Sequence, residues 1–258
     1  MGLFDEIMSA SGSDNNGIIN GIVTGIVKDN YDKENPGKIK VELFLGERGK
    51  NVTGWVSVMT PYAGTDFGYY SLPEVGSEVV VAFNMGDRNC PIVIGCLWNG
   101  KNKLPTDTVT DKNVKKRFIT KGKNEILIDD TDNKQVIEIK TAKGKAIIFN
   151  EEKDNIIIHD KDNKNSIIVS SKDGTMTLEA EKKIILKAGG KNMAVFDGTG
   201  KKVTIDSNNI DVKAGQNLNL KGQSVKVDGT NVAIKGTGSL KAESSGTTQV
   251  KGTIVKIN

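Results

Sequence analysis

The sequence predicts an all-β protein in which a small barrel is followed by a long repetitive β-structure. Three observations support this class: apolar runs of strand length recur in the first hundred residues, a short apolar repeat fills the second half, and the composition changes between them. The predicted organisation is an N-terminal arm over 1–16, a barrel over 17–100, a linker over 101–123 and a needle-like repetitive region over 124–258.

The change in composition places the domain boundary near residue 110. All five prolines lie before residue 106, and ten of the thirteen aromatic residues lie in residues 1–100. Residues 1–110 carry 9 Lys and Arg against 13 Asp and Glu, a net charge of −4, whereas residues 111–258 carry 27 against 19, a net charge of +8. A simultaneous change in aromatic content and charge sign indicates two domains.

Five apolar runs in the first half are separated by Gly-, Pro- and Asn-containing turns. Their length and β-branched content are typical of strands. Five strands in about eighty residues favour a Greek-key barrel of the OB-fold type over a sandwich, which usually has seven or more strands. The predicted strands are Ile18–Val27, Ile39–Leu45, Trp55–Met59, Val79–Phe83 and Ile92–Trp98.

Four aromatic residues crowd one segment of the predicted barrel: Tyr62, Phe67, Tyr69 and Tyr70. Barrels that bind single-stranded nucleic acid combine stacking aromatics with a basic groove, and this segment has no flanking Lys or Arg. We therefore predict no nucleic-acid partner and interpret the segment as a packed loop or a protein-contact surface.

Few residues in the chain are suited to catalysis or metal binding. There are one histidine and two cysteines, and the sequence has no Gly-x-Ser-x-Gly, His-Glu-x-x-His or phosphate-loop motif. Cys90 and Cys96 lie roughly 20 Å apart at the two ends of one predicted strand and are expected to be core residues rather than a disulfide. The sequence therefore predicts neither catalysis nor a cofactor. No apolar run is long enough to cross a membrane, and no signal peptide is predicted.

A short unit recurs from Ile126 to the end of the chain. Two apolar residues flank a single residue and a polar turn follows, as in Ile137-Glu138-Ile139 and Val225-Lys226-Val227. Sixteen such units occur, and their mean spacing falls from about ten residues to about seven and a half. Repeats of this kind indicate stacked units that cannot bury their apolar face alone.

We predict that three chains wind about one axis in this region. Strands of about three residues are too short for an independent sheet, and the spacing fits neither single-chain β-helices nor leucine-rich repeats. Each chain would supply one short strand per layer, and that strand would have no partner strand in its own chain. The result is an intertwined triple-stranded β-helix that tapers along its axis and is roughly 75 Å long. The predicted axis residues are Ile205, Val212, Leu220, Val227, Ile234, Val250 and Ile257.

The single histidine is predicted to lie away from this axis. His159 directly follows Ile158, whose side chain is predicted to point inward, so the histidine points outward or into a turn. No axial metal site is therefore expected.

Both ends of the chain carry apolar residues without an evident place to pack. Leu3, Phe4, Ile7 and Met8 fall on one side of a short helix, which is too short to be stable alone. At the other end the repeat continues without a cap, so the last residues are predicted to contact a separate tip protein. These residues are Val250, Val255, Lys256, Ile257 and Asn258.

Several barrel segments resemble one known family. They are Gly21–Asp29 with Asn35-Pro36-Gly37-Lys38-Ile39-Lys40-Val41, the run from Leu72 to Phe83, and the run from Asp87 to Gly95 with Trp98-Asn99-Gly100. Through these motifs residues 17–104 resemble the baseplate assembly protein V and VgrG central spikes of contractile injection systems.

This resemblance implies a homotrimer that is mounted under the tube hub and pierces the target envelope when the sheath contracts. It implies that the N-terminal residues Leu3, Phe4, Ile7 and Met8 bind a hub protein. It also implies that a PAAR-like tip protein covers the last residues of the repeat. It also implies assembly in the bacterial cytoplasm and residence in a virion, a tailocin or an extracellular injection particle. The short segment before the barrel favours these particles over a type VI system.

An adhesin-like trimeric fibre that recognises a cell-surface polymer is the alternative. Such a fibre is expected to end in a broader, aromatic-bearing receptor domain, whereas this sequence ends within the repeat. The sequence therefore favours the spike.

Overall fold

The computed structural model describes residues 18–19, 21–47 and 49–257. These residues form two compact units, one ending at Lys182 and the other beginning at Lys183. The described part of the chain contains seventeen β-strands and one 3-10 turn, which confirms the predicted all-β class. The predicted arm over 1–16 lies outside the described residues.

The first unit begins with a five-stranded barrel. Its strands are β1 (Ile22–Asp29), β2 (Lys38–Leu43), β3 (Val56–Val58), β6 (Glu78–Phe83) and β7 (Pro91–Leu97). They close in the order β1-β2-β3-β7-β6, with β3 and β7 parallel and all other neighbours antiparallel. Each strand overlaps one of the five predicted runs, and the closed barrel confirms the OB-type prediction.

Two short elements connect the barrel strands. The pair β4 (Ala63–Gly64) and β5 (Phe67–Gly68) forms a small hairpin between β3 and β6, and a 3-10 turn at Asn84–Gly86 joins β6 to β7. Neither element adds a strand to the barrel wall.

Alternating side chains from the barrel strands fill a single apolar core. Because successive residues of a strand point to opposite faces, the β-branched residues at alternate positions converge inside. Gly25 is required in β1, since a Cβ there would lie 2.5 Å from the carbonyl oxygen of Glu42 on β2. The buried apolar residues are Val27, Ile39, Val41, Val56, Val79, Val81, Phe83 and Val93.

Both cysteines are exposed and free, so the prediction of core cysteines is wrong. Cys90 precedes β7 in a turn, where its backbone N–H donates to the carbonyl oxygen of Asp87. Its thiol also lies 3.4 Å from the Asp87 carboxylate, and this hydrogen bond raises the pKa of Cys90. The apolar run Ile92–Trp98 did not reveal that Cys90 before it and Cys96 within it lie outside the core.

A seven-stranded antiparallel sheet completes the first unit. Its strands are β8 (Lys115–Ile119), β9 (Glu125–Asp129), β10 (Val136–Lys140), β11 (Ala146–Asn150), β12 (Asn155–His159), β13 (Ser166–Ser170) and β14 (Thr175–Glu179). Each strand pairs with the next in the sequence, which makes the sheet a simple meander. Strand β8 lies inside the stretch predicted as the linker 101–123, and the domain limits stay predictions.

The turns of this meander share one backbone feature. Each of the six turns contains a residue with positive φ, a conformation that Gly, Asn and Asp adopt most readily. In each turn the backbone N–H of this residue, or of the residue after it, donates to the carbonyl oxygen three residues earlier. The positive-φ residues are Lys123, Asn133, Gly144, Asp154, Asn163 and Gly174.

The second unit contains one small sheet and a long segment without strands. Strands β15 (Lys183–Ala188), β16 (Lys191–Asp197) and β17 (Lys202–Ile205) form an antiparallel sheet. From Asp206 to Ile257 the described residues form no strand within the chain, and their side chains are exposed.

The pairing corrects one part of the prediction for the repeats. Between Lys115 and Ile205 the strands have partners in their own chain, so the expectation that none pairs within the chain is wrong there. The physical reason is strand length, because four to seven residues with a tight turn suffice for an antiparallel neighbour. The further β-sheets after the barrel are consistent with the predicted β-helix, whose winding of three chains stays a prediction.

Candidate functional site

One face of the seven-stranded sheet is almost entirely apolar and is called the apolar face here. In every strand the two residues on this face are separated by one residue, and the register aligns them into two rows. The first row is Phe118, Ile126, Ile139, Ile147, Ile158, Ile167 and Leu178. The second row is Lys116, Ile128, Ile137, Phe149, Ile156, Val169 and Met176.

Among the described residues of the first unit, no further layer covers the apolar face. Ile139 is 47% exposed and Ile158 is 43% exposed, although both lie on inner strands of the sheet. Hydrophobic burial stabilises a fold by roughly 25 cal/mol per Å² of apolar area, and these side chains do not realise that gain in one chain. The arrangement can therefore act as a contact surface for other polypeptide.

The opposite face of the same sheet carries a buried ionic network. Glu125 is only 6% exposed, and its carboxylate accepts from Arg117 Nε at 2.5 Å and contacts Lys140 Nζ at 3.2 Å. Lys140 Nζ also donates to Glu138 at 2.9 Å. The hydrogen bond from Arg117 lowers the pKa of Glu125 despite its burial, and the hydrogen bond to Glu138 raises the pKa of Lys140.

Arg117 of this network also holds the preceding segment of the chain. Its Nη1 donates to the carbonyl oxygen of Thr106 at 2.7 Å and to Oγ1 of Thr108 at 2.9 Å. The predicted linker is therefore fastened to the sheet. Sequence reasoning missed this network, because Arg117 and Glu125 lie in different strands and nothing in their spacing indicates a contact.

The predicted axis residues of the later repeats are all exposed in the single chain. Their exposed fractions rise from 61% at Ile205 to 91% at Ile257. Ile205 is at the end of β17, and the others lie in the segment without strands. The structure does not bring them together within one chain, and their role at a trimer axis stays a prediction.

The residues predicted to bind a hub protein and those predicted to bind a tip protein differ in whether the structure describes them. The hub-binding residues Leu3, Phe4, Ile7 and Met8 lie outside the described residues, as does Asn258 of the tip set. The remaining tip residues are exposed: Val250, Val255, Lys256 and Ile257. Their contact with a tip protein stays a prediction.

His159 lies on the face opposite the apolar one. Its neighbour Ile158 is in the first apolar row, whereas the His159 ring is half-buried with Nδ1 2.7 Å from the carbonyl oxygen of Asp160. Within residues 18–19, 21–47 and 49–257, no three His, Cys, Asp or Glu side chains are grouped as metal ligands would be. Among the same residues, no helix reaches the length and apolar character needed to cross a bilayer.

The aromatic segment of the barrel forms the β4–β5 hairpin. Tyr62 and Phe67 pack with ring centroids 5.3 Å apart, and Tyr69 meets Phe118 of the apolar face edge-on at 6.4 Å. The sequence indicated a packed loop or a protein-contact surface here but gave no sign that Tyr69 reaches the sheet. The structure therefore joins two surfaces that are about fifty residues apart in the sequence.

Comparison with known proteins relates the barrel to injection machines. Residues 23–98 match the family described as the type VI secretion system/phage-baseplate injector OB domain. The type VI secretion system spike protein VgrG5 of Pseudomonas aeruginosa is 31% identical over 125 residues, which cover 45% of this chain and 16% of the relative. The spike protein VgrG3 of Vibrio cholerae is 28% identical over 137 residues, which cover 50% of this chain and 13% of the relative.

These matches confirm the predicted resemblance to baseplate and VgrG-type spikes. The matched part of this chain spans less than a fifth of the length of either relative. The comparisons therefore relate part of this chain to a small part of each spike protein.

Proposed function

We propose that this protein is a non-enzymatic structural spike of a contractile injection machine. In this proposal it forms a homotrimer under the tube hub and is driven into the target envelope when the sheath contracts. The observation that carries the proposal is the exposed apolar face, which follows directly after an injector-type OB domain.

The apolar face supports assembly of several copies. Large contiguous apolar surfaces are rare on monomeric proteins and mark interaction sites. Identical chains around a rotation axis can each bury this surface with the same contacts, which is the usual geometry of closed oligomers. The number of three comes from the later repeats over 206–257, where one short strand per chain and layer would close a three-sided column without open lateral edges.

The later repeats support the same arrangement more strongly. Val227 and Ile234 are 69% and 71% exposed, and no strand in the part of the chain that the structure describes pairs with them. Alternating apolar residues in such a segment are stabilised only when other chains supply both the packing and the backbone hydrogen bonds. The trimer is therefore the form in which residues 206–257 become rigid.

The proposed mechanism is mechanical. A narrow column concentrates the contraction force on a small area, and strands from three chains in every layer resist buckling. We assign hub binding to Leu3, Phe4, Ile7 and Met8, and contact with a PAAR-like tip protein to the last layers around Ile257.

Light scattering of the purified chain tests the trimer directly. The expected mass is three times 27.8 kDa. Val227→Asp is expected to disrupt assembly, because three like charges would be buried together at the axis. Lys226→Asp is the matched control and is expected to be nearly neutral, because Lys226 is predicted to face away from the axis and its ion pair with Asp228, at 2.8 Å, is exposed. A stable monomer of the unmodified chain would contradict the proposal.

A further inference from the structure

Five large apolar side chains are exposed on one segment of the barrel. This segment, residues 59–70 with β4 and β5, is called the aromatic hairpin here. The exposed residues are Met59, Tyr62, Phe67, Tyr69 and Tyr70, which are 49–78% exposed. Asp66 is the single charged residue of the segment. An exposed aromatic patch with a single charged residue is typical of the centre of a protein interface.

The aromatic hairpin is held in one conformation by its own contacts. The backbone N–H of Tyr69 donates to the carbonyl oxygen of Tyr62 at 2.8 Å, and Thr60 Oγ1 donates to that of Tyr69 at 2.6 Å. The Phe67 ring occupies the space beside Gly64, where a Cβ would lie 2.0 Å from the ring. Side chains that are already ordered lose little conformational entropy on binding, which favours a contact role.

Both ends of the hairpin are fastened to the barrel. The backbone N–H of Met59 donates to the carbonyl oxygen of Val93 at 2.7 Å, and Leu72 packs against the buried core. The exposed rings themselves are not part of that core. Polar substitutions of Tyr62 and Phe67 are therefore expected to leave the barrel folded.

The hairpin continues the apolar face past β8. Tyr69 contacts Phe118, the first residue of the first apolar row, with ring centroids 6.4 Å apart. The ion pair between Lys121 Nζ and Glu74, at 3.1 Å, links the β8–β9 turn to the segment that follows the hairpin. A chain that covers Phe118 at this edge of the sheet therefore also meets Tyr69.

We propose that the aromatic hairpin packs against a second copy of this chain. This inference rests on the trimer proposed above, in which neighbouring copies cover the apolar face. The hairpin extends that contact from the sheet to the barrel, so the barrels of neighbouring copies are also held together. Hub or tip proteins are the other occupants that the experiment separates from a second copy.

Photo-crosslinking of the full-length chain tests the assignment. Benzoyl-phenylalanine is placed at Tyr62, and the protein is irradiated at a concentration where light scattering shows the trimer. Covalent dimers and trimers are expected, with cross-linked peptides from residues 59–70 or 115–179 of another copy. The matched control is benzoyl-phenylalanine at Tyr31, which is 79% exposed on the same barrel and is expected to give no covalent dimer.

A double variant gives a second readout. Tyr62→Ser with Phe67→Ser is expected to yield about tenfold more dissociated chain at a guanidinium concentration that partly dissociates the unmodified trimer. Tyr31→Ser is expected to leave that fraction unchanged. If circular dichroism shows that the double variant keeps its β-structure, the additional dissociated chain results from weaker association and not from unfolding.

The outcomes separate this inference from the proposed function. A trimer that gives no cross-link between copies from Tyr62 and is insensitive to the double variant overturns the inference alone. Cross-linking from Tyr62 exclusively to a co-expressed hub protein also overturns it. A monomeric chain overturns the proposed function and this inference with it.

Discussion

At the scale of single residues, Glu125 shows how a charge is accommodated on a half-covered sheet. Its carboxylate accepts from Arg117 and contacts Lys140, while Arg117 reaches back to Thr106 and Thr108. Two cationic partners on the neighbouring strands, Arg117 on β8 and Lys140 on β10, thus offset the cost of burying one carboxylate. The same residues fasten the segment that connects the barrel to the sheet.

Glu125→Gln is expected to lower the free energy of unfolding by about 2 kcal/mol at pH 7, because the charged hydrogen bonds to Arg117 and Lys140 are lost. The pKa of Glu125 is lower in the folded state than in the unfolded state, where it is about 4.3. The stabilising contribution of Glu125 is therefore fully present when the pH is above the unfolded-state pKa. It is lost as the pH falls through the folded-state pKa. Thermal unfolding of the unmodified protein and of the Glu125→Gln variant between pH 7 and pH 3 measures how their difference in stability depends on pH.

The matched control for this variant is Glu47→Gln. Glu47 pairs with Lys50 at 2.6 Å, but both side chains are 70% exposed. Exposed pairs contribute little, so this variant is expected to change the stability by less than about 0.5 kcal/mol. An equal loss in both variants, or a Glu125→Gln deficit that does not shrink as the pH falls below the unfolded value, would contradict the role assigned to Glu125.

At the scale of elements, the barrel strands were predictable and the pairing of the repeats was not. The five apolar runs carried both the alternation and the turn residues, so predicted and observed strands overlap throughout the barrel. In the repeats, alternation identifies which residues share a face, and Ile137 and Ile139 do share one. Alternation does not say which chain supplies the neighbouring strand, and this was decided by turns such as that at Asn133.

The candidate site was predictable to a similar extent. The apolar positions of the repeats in β9 to β14 were predicted correctly from their period. Contacts between distant segments, such as Tyr69 with Phe118, leave no pattern in the sequence. The ionic network around Glu125 is hidden for the same reason. The periodicity of a strand predicts which of its residues lie on the same face. Which faces contact each other becomes known only from the folded structure.

The N-terminal segment supports a prediction at the element scale. Deletion of residues 2–12 is expected to leave the trimer folded, because the apolar core that the structure describes is built from the barrel strands β1, β2, β3, β6 and β7. Incorporation into particles is expected to fall, because Leu3, Phe4, Ile7 and Met8 would no longer contact the hub. Quantification of the chain in purified particles measures this effect, and unchanged incorporation would refute the anchor.

At the scale of the whole molecule, the last repeats separate assembly from tip binding. Truncation after Gly246 removes the two final units and keeps fourteen of the sixteen. The truncated chain is expected to remain a trimer, because each lost layer contributes independently in a stacked repeat. It is expected to lose co-purification of a tip protein, because Val250, Val255 and Ile257 are absent. Density that ends at Asn258 in intact particles would contradict this prediction.

The meander of β8 to β14 also determines how the protein responds to load. Hydrogen bonds of an antiparallel sheet lie perpendicular to its strands, so they point along the direction in which the seven strands stack, over roughly 29 Å. A pull along this direction would open one five-residue pair after another, as a zipper opens. A push presses each strand onto the next and loads all six pairs together. The sheet is therefore weak in tension and strong in compression.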